Sequence, residues 1–89
     1  MKIIEAFHVL KQHGHVLDQY NFDDRWLGKQ PGYFAYLKST DSQPSVETLM
    51  HFHFRLLDMD NAYKKYDLDT GVLNSVANSV MGEVERRCA

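Results

Sequence analysis

The sequence predicts an all-α fold of about five helices, and three observations carry that expectation. Apolar residues recur at three- and four-residue steps along most of the chain, the spacing that gathers side chains on one face of an α-helix. Helix-breaking and cap-forming residues fall between those stretches, at Gly14, Gly28, Pro31, Pro44, Ser45 and Gly71. With 89 residues, 44% of them hydrophobic, the chain can build one small core that nearly all the helices must share.

The first helix runs from Lys2 to about His13, with Ile3, Ile4, Phe7, Val9 and Leu10 as its apolar set and Gly14 as its end. His15 to Tyr20 reads as a connector, to which Val16 and Leu17 can add a turn of helix. Asn21 is the expected cap of the second helix, a short one ending at Leu27. Asp23 and Asp24 would then occupy its electropositive first turn, and Phe22 and Trp26, four apart, would share a face. Gly28 supplies the backbone freedom for a sharp turn. Pro31 suits the first position of a third helix over 31–39, because its missing N–H has no partner there anyway. On that helix Phe34 and Leu37 point inward, while Gly32, Ala35, Tyr36 and Ser39 fall on the other side.

Thr40 to Pro44 is a loop by composition. Ser45 caps a fourth helix whose expected inward residues are Val46, Leu49, Met50, His53, Leu56 and Leu57. The pattern continues or restarts through Met59, Ala62, Tyr63 and Tyr66, which leaves the break between Asp58 and Asp67 open. Asp69 or Thr70 caps a last helix from Gly71 to about Arg87, with Val72, Val76, Val80 and Val84 flanked by Leu73, Ala77 and Met81. Valine is a mediocre helix former, so packing must hold this helix. Its valine stripe either closes the chain's own core or pairs two copies of the chain.

Several functions are disfavoured. The one cysteine, Cys88, allows neither an internal disulfide nor a cysteine-based zinc site, which fits a reducing cytosolic setting. Apolar runs at the N-terminus are short and broken by Glu5, His8 and Lys11, so no signal peptide or membrane span is expected. Five histidines, His8, His13, His15, His51 and His53, lack zinc-ligand spacing, and the calcium-like run Asp67 to Gly71 has its glycine one place early, with Asn78 where a bidentate glutamate belongs. Neither a metal nor another cofactor is expected. Cys88 has no positioned base, and no phosphate loop or serine elbow is present, so the chain does not read as an enzyme.

Attention therefore falls on Arg25 to Lys38. This stretch carries Arg25, Lys29 and Lys38 and no acid, so it is locally +3 within a chain of net charge −2, leaving −5 for the rest. An overall pI near 6.2 excludes the strongly basic class of nonspecific nucleic-acid binders, and the placement of positive charge becomes decisive.

Leu27-Gly28, Tyr33-Phe34, Leu37, Pro44-Ser45 and Leu49 together resemble the core of the lambda-repressor-like (XRE-type) helix-turn-helix family of phage, plasmid and bacterial regulators. The resemblance covers about 21–57. It implies a single helix-turn-helix domain over 1–89, with the C-terminal helix at about 70–87 serving core closure or dimerisation. Four positions depart from the pattern. Lys29 replaces an aliphatic of the turn, Asp24 a small residue, Ala35 a common serine, and Thr40 the glycine that usually ends the recognition helix. The interval from Gly14 to Gly28 is also a few residues long.

What the resemblance implies for function is sequence-specific binding of double-stranded DNA by a repressor, cytoplasmic and dimeric. The helix at 31–39 would read the major groove. Gln30 can pair with adenine, Ala35 or Tyr36 can touch a thymine methyl, Ser39 can reach a base edge, and Gly32 permits close approach. Arg25, Lys29, Tyr33 and Lys38 would contact phosphates, with packing as the alternative for Tyr33. Val72, Val76, Val80 and Val84 are the candidate dimer contacts. The rival reading is a protein-interaction module, adaptor or antitoxin-like, on a degenerate version of the same fold.

Overall fold

The computed structural model describes residues 1–66 and 71–88. The fold is all-α, as expected. Helix α1 spans Ile3–Gln12, α2 begins with the turn Gln19–Asn21 and continues as a π-helical segment Phe22–Leu27, α3 spans Tyr33–Thr40, α4 Val46–Lys64 and α5 Gly71–Cys88.

Helix α1 buries Ile3, Ala6, Phe7 and Leu10, a row at three- and four-residue steps, and its first turn is held by the Gln43 side chain, whose Oε1 accepts from the Ile3 N–H at 3.0 Å. Helix α2 starts earlier than expected. Asp18, not Asn21, is its cap, the Asp18 carboxylate accepting from the Asn21 N–H at 2.8 Å. The Asn21 side chain instead turns back to accept from the Leu17 N–H at 3.2 Å.

The core is organised by rings. Phe22 of α2 is fully buried, with its centroid 5.2 Å from Phe7 of α1, 5.3 Å from Phe34 of α3 and 5.5 Å from Phe52 of α4. The last two pairs meet edge to face, the arrangement favoured by ring quadrupoles. Phe52 was absent from the expected inward set of α4. The inward residues there are Leu49, Phe52, His53 and Leu56, together with the polar Thr48 and Asp60, whereas Val46, Met50 and Leu57 are only partly buried. The α4 helix also runs without a break to Lys64. The proposed caps Asp69 and Thr70 lie outside the described residues, as does most of the calcium-like run.

Helices α4 and α5 pack along much of their length, and the valine stripe is used there. Val76, Val80 and Val84 are buried with Leu73 and Ala77 in the chain's own core, and Val72 is partly buried against it. These four residues are therefore not a free dimer face. What lies opposite them is α4 and, to a smaller extent, α1, whose buried side chains share one core with α5. His53 completes this contact, its Nδ1 lying 3.0 Å from the Ala77 carbonyl. A carbonyl only accepts, so Nδ1 carries the proton.

The end of α5 is tied down by charge. Glu83 accepts from Arg86 and Arg87, and Arg87 Nη1 donates onward to the Pro44 carbonyl at 2.6 Å. Hydrogen bonds from Arg86 and then Arg87 hold the Glu83 carboxyl below its ordinary value of 4.5. Because the folded-state pKa is depressed, this contribution to stability is complete above pH 4.5 and is lost as pH falls through the folded value. Acid denaturation of Glu83→Gln is thus expected to show a shallower loss of stability below pH 4.5 than the parent, measured by urea melts across that range. A second expectation concerns Gly82, which lies mid-helix on α5, exposed, with open space where a Cβ would stand. Gly82→Ala is expected to stabilise the chain by about 0.5–1 kcal/mol in a urea melt, the helix-propensity difference between the two residues.

Candidate nucleic-acid interface

The turn between α2 and α3 is built around Asp23. The sequence placed this residue in the electropositive first turn of its own helix, and the structure buries it, only 1% exposed. Its main-chain carbonyl accepts from both the Gly28 and the Lys29 N–H, five and six residues on, and the Lys29 bond is 2.8 Å. The bond from Gly28, five residues on, is of the kind that defines the π-helical segment Phe22–Leu27, and the bond from Lys29 closes its end. Its carboxylate reaches across the turn, Oδ2 accepting from the Gly32 N–H at 3.0 Å and Oδ1 from the Phe34 N–H at 2.8 Å. Helix α3 is thereby capped by a side chain of the preceding helix. Its own N-cap position is Gly32, which has no side chain to offer.

That exchange corrects the expected start of α3. Pro31 lies in the turn, Gly32 adopts φ +94°, and the helix begins at Tyr33. The helix also ends one residue later than expected. Asp41 takes the left-handed conformation, φ 52°, and the Ser42 N–H closes the end on the Leu37 carbonyl at 2.9 Å. Thr40 remains helical, its hydroxyl donating to the Tyr36 carbonyl at 2.9 Å.

Gly28 is constrained twice. Its φ is +66°, and a Cβ there would stand 2.7 Å from Nε2 of His51 on α4. The imidazole lies against the turn and, with Leu27, Gly28, Lys29, Glu47 and Thr48, lines a cleft of about 140 Å³. A larger cavity of about 310 Å³ is lined by Met1, Lys2, Glu5, Gln43, Glu83 and Arg86, side chains of mixed charge.

On this frame the expected reading residues Gln30, Ala35, Tyr36 and Ser39 are all exposed, and Tyr36 is 60% exposed although it is aromatic. Phe34 and Leu37, on the other side of α3, are buried. Gly32 is exposed too, but as the cap of α3 rather than part of its outer face. The Ser39 hydroxyl donates to the Tyr36 carbonyl at 2.9 Å, which leaves its lone pairs for an incoming donor.

Of the expected phosphate contacts, Arg25, Lys29 and Lys38 are exposed. Lys29 does not fill the apolar slot of the turn. Its N–H is held by Asp23 while its ammonium lies over the Tyr33 ring at 5.5 Å. Tyr33 is half-buried against the core, so packing accounts for it. Lys38 lies over Phe34 at 5.2 Å. Arg25 has an exposed ion pair with Asp24 at 3.6 Å, of little energetic weight. One base was missed. Arg55 of α4 donates from Nε to the Arg25 carbonyl at 2.9 Å, a contact spanning 30 residues that no local pattern signals.

A family model, described as a family of unknown function (DUF6626), matches residues 3–89. The chain belongs to that family. No curated protein and no solved structure matches it. Among the described residues there is no group of three or more histidine, cysteine or acidic side chains able to hold a metal, and no described helix is long and apolar enough to cross a membrane.

The role of Asp23 is open to measurement. Asp23→Ala leaves the Gly32 and Phe34 N–H groups without their acceptor and is expected to cost about 2–3 kcal/mol in a urea melt. Amide exchange at Phe34 should accelerate more than exchange in α5. Asp23→Asn should recover only part of the loss, since one of its two positions would set an amide N–H₂ against a backbone donor.

Proposed function

We propose that the chain binds double-stranded DNA through α2, the turn and α3, acting as a sequence-specific transcriptional regulator and most simply as a repressor. The observation that carries this reading is the outer face of α3. Ala35 and Ser39 are small and exposed, Tyr36 stands out between them, and the helix beneath is locked by Phe34, Leu37 and the Asp23 bonds. A shape of that kind suits close approach to a groove floor. Around it the positive charge is available. Arg86 and Arg87 pair with Glu83, and Lys64 with Asp60, while Lys29 and Lys38 have no carboxylate partner among the described residues.

In this reading Gln30, Tyr36, Ala35 and Ser39 meet base edges, and Arg25, Lys29 and Lys38 neutralise phosphates. A regulator of this kind acts in the cytoplasm, where bacterial DNA lies. Two-fold operators would call for a homodimer, which must use a surface other than the valines of α5. A second reading, a protein-interaction module, is favoured by the apolar groups left in solvent: Leu17 is 76% exposed, Tyr20 62% and Phe54 55%.

A salt titration with the DNA upstream of the chain's own gene separates the two. The regulator should bind with log K falling against log salt at about −0.9 per phosphate neutralised. Tyr36→Ala and Gln30→Ala should each relax preference at one base position by about 1–3 kcal/mol, whereas Lys38→Ala should weaken all sequences alike and lower the slope by about 1. A folded protein that binds no DNA at low salt overturns the reading. Uniform loss for Tyr36→Ala would place the reading face elsewhere.

A further inference from the structure

The sequence stretch rich in bases ends at Lys38, but the tertiary structure brings another base to it. Arg55 sits ten residues into α4, and its Nε is spent on the Arg25 carbonyl in the last turn of α2. A guanidinium has five N–H donors in one plane, so this bond fixes the plane and leaves the four donors of Nη1 and Nη2. Among the described residues no carboxylate pairs with Arg55. The Arg25 side chain is 72% exposed and leaves from the very residue whose carbonyl Arg55 holds, while Lys29, also exposed, follows four residues on.

The bond thus ties α4 to the last turn of α2, where among the described residues Asp24 is the acid paired to Arg25, at 3.6 Å. Capping alone explains the Arg55 bond to the last turn of α2, where backbone carbonyls lack helical partners. It leaves the Nη1 and Nη2 donors of Arg55, which no carboxylate among the described residues takes. An oxyanion is the partner such a planar set of donors binds most strongly.

We propose that Arg55 is a phosphate-contacting residue of the DNA interface, its guanidinium plane set by the bond to the Arg25 carbonyl so that Nη1 and Nη2 take a phosphodiester group of the backbone. The inference rests on the DNA-binding reading above. It extends the interface from the turn and α3 onto the flank of α4, so the footprint includes a backbone contact beyond the groove that α3 enters. The contact is independent of base sequence.

The test is the salt dependence of binding to the same duplex. Arg55→Gln should lower the slope of log K against log salt by about 1 and weaken specific and nonspecific duplexes by equal factors, while Arg55→Lys should keep the slope. In the unaltered protein, the Arg55 Nε–Hε resonance should shift on titration with the duplex, a readout that does not depend on how the variants fold. If the parent binds DNA but Arg55→Gln keeps its slope, or the resonance stays unmoved, Arg55 is a cap only and this inference falls alone. If the parent binds no DNA, both readings fall.

Discussion

Asp23 holds four backbone N–H groups, two on its carbonyl and two on its carboxylate, and the geometry of the whole α2–α3 unit depends on that set of bonds. A carboxylate taken out of water is costly unless it is fully hydrogen-bonded. Here it sits at the electropositive start of α3, where the first N–H groups lack helical partners and the dipole favours negative charge. The same residue ends the π-helical segment 22–27, its carbonyl accepting from Gly28 and Lys29 at the turn. Main-chain bonding thus does for the turn what an aliphatic side chain would otherwise do, and Lys29 is released to the surface.

Around this polar hinge the apolar core is laid out as rings from four helices. Phe22 stands next to Asp23 in the chain and at the meeting point of Phe7, Phe34 and Phe52 in space. The turn and the core are therefore coupled: displacing Asp23 moves Phe22, and with it the seat of α3. Helix α5 then seals the remaining side with Leu73, Val76, Ala77, Val80 and Val84. Its exposed face carries Asn74, Ser75, Asn78 and Gly82, while Val72 and Met81 are partly buried at the edge of the core.

The distribution of charge follows from the same economy of partners. Where bases serve structure they are paired: Arg86 and Arg87 with Glu83, Lys64 with the buried Asp60. Near the turn the acids are otherwise engaged. Asp23 is bonded to backbone, and Asp18 caps α2. That leaves Lys29, Lys38 and Arg55 without carboxylate partners among the described residues, as Lys2, Lys11 and Lys65 are elsewhere in the chain.

How much of this was legible depended on the range of the interaction concerned. Helical periodicity is local, so the all-α class, the inward Phe34 and Leu37, the cap at Ser45 and the outward Ala35, Tyr36 and Ser39 could be read directly from 89 letters. The period also named the valines of α5, but it cannot say what covers an apolar stripe; only the packing against α4 and α1 decided that they face inward. Asp23 and Arg55 were missed for a related reason. An acid at the start of a helix and a base on an exposed flank look alike whether they meet solvent or a backbone group 9 to 30 residues away. The sequence by itself determined which faces are apolar and where helices can start, because those depend on neighbouring residues. The tertiary structure decided where the polar groups are spent, because a hydrogen bond across a turn is fixed by three-dimensional proximity, which no local spacing encodes.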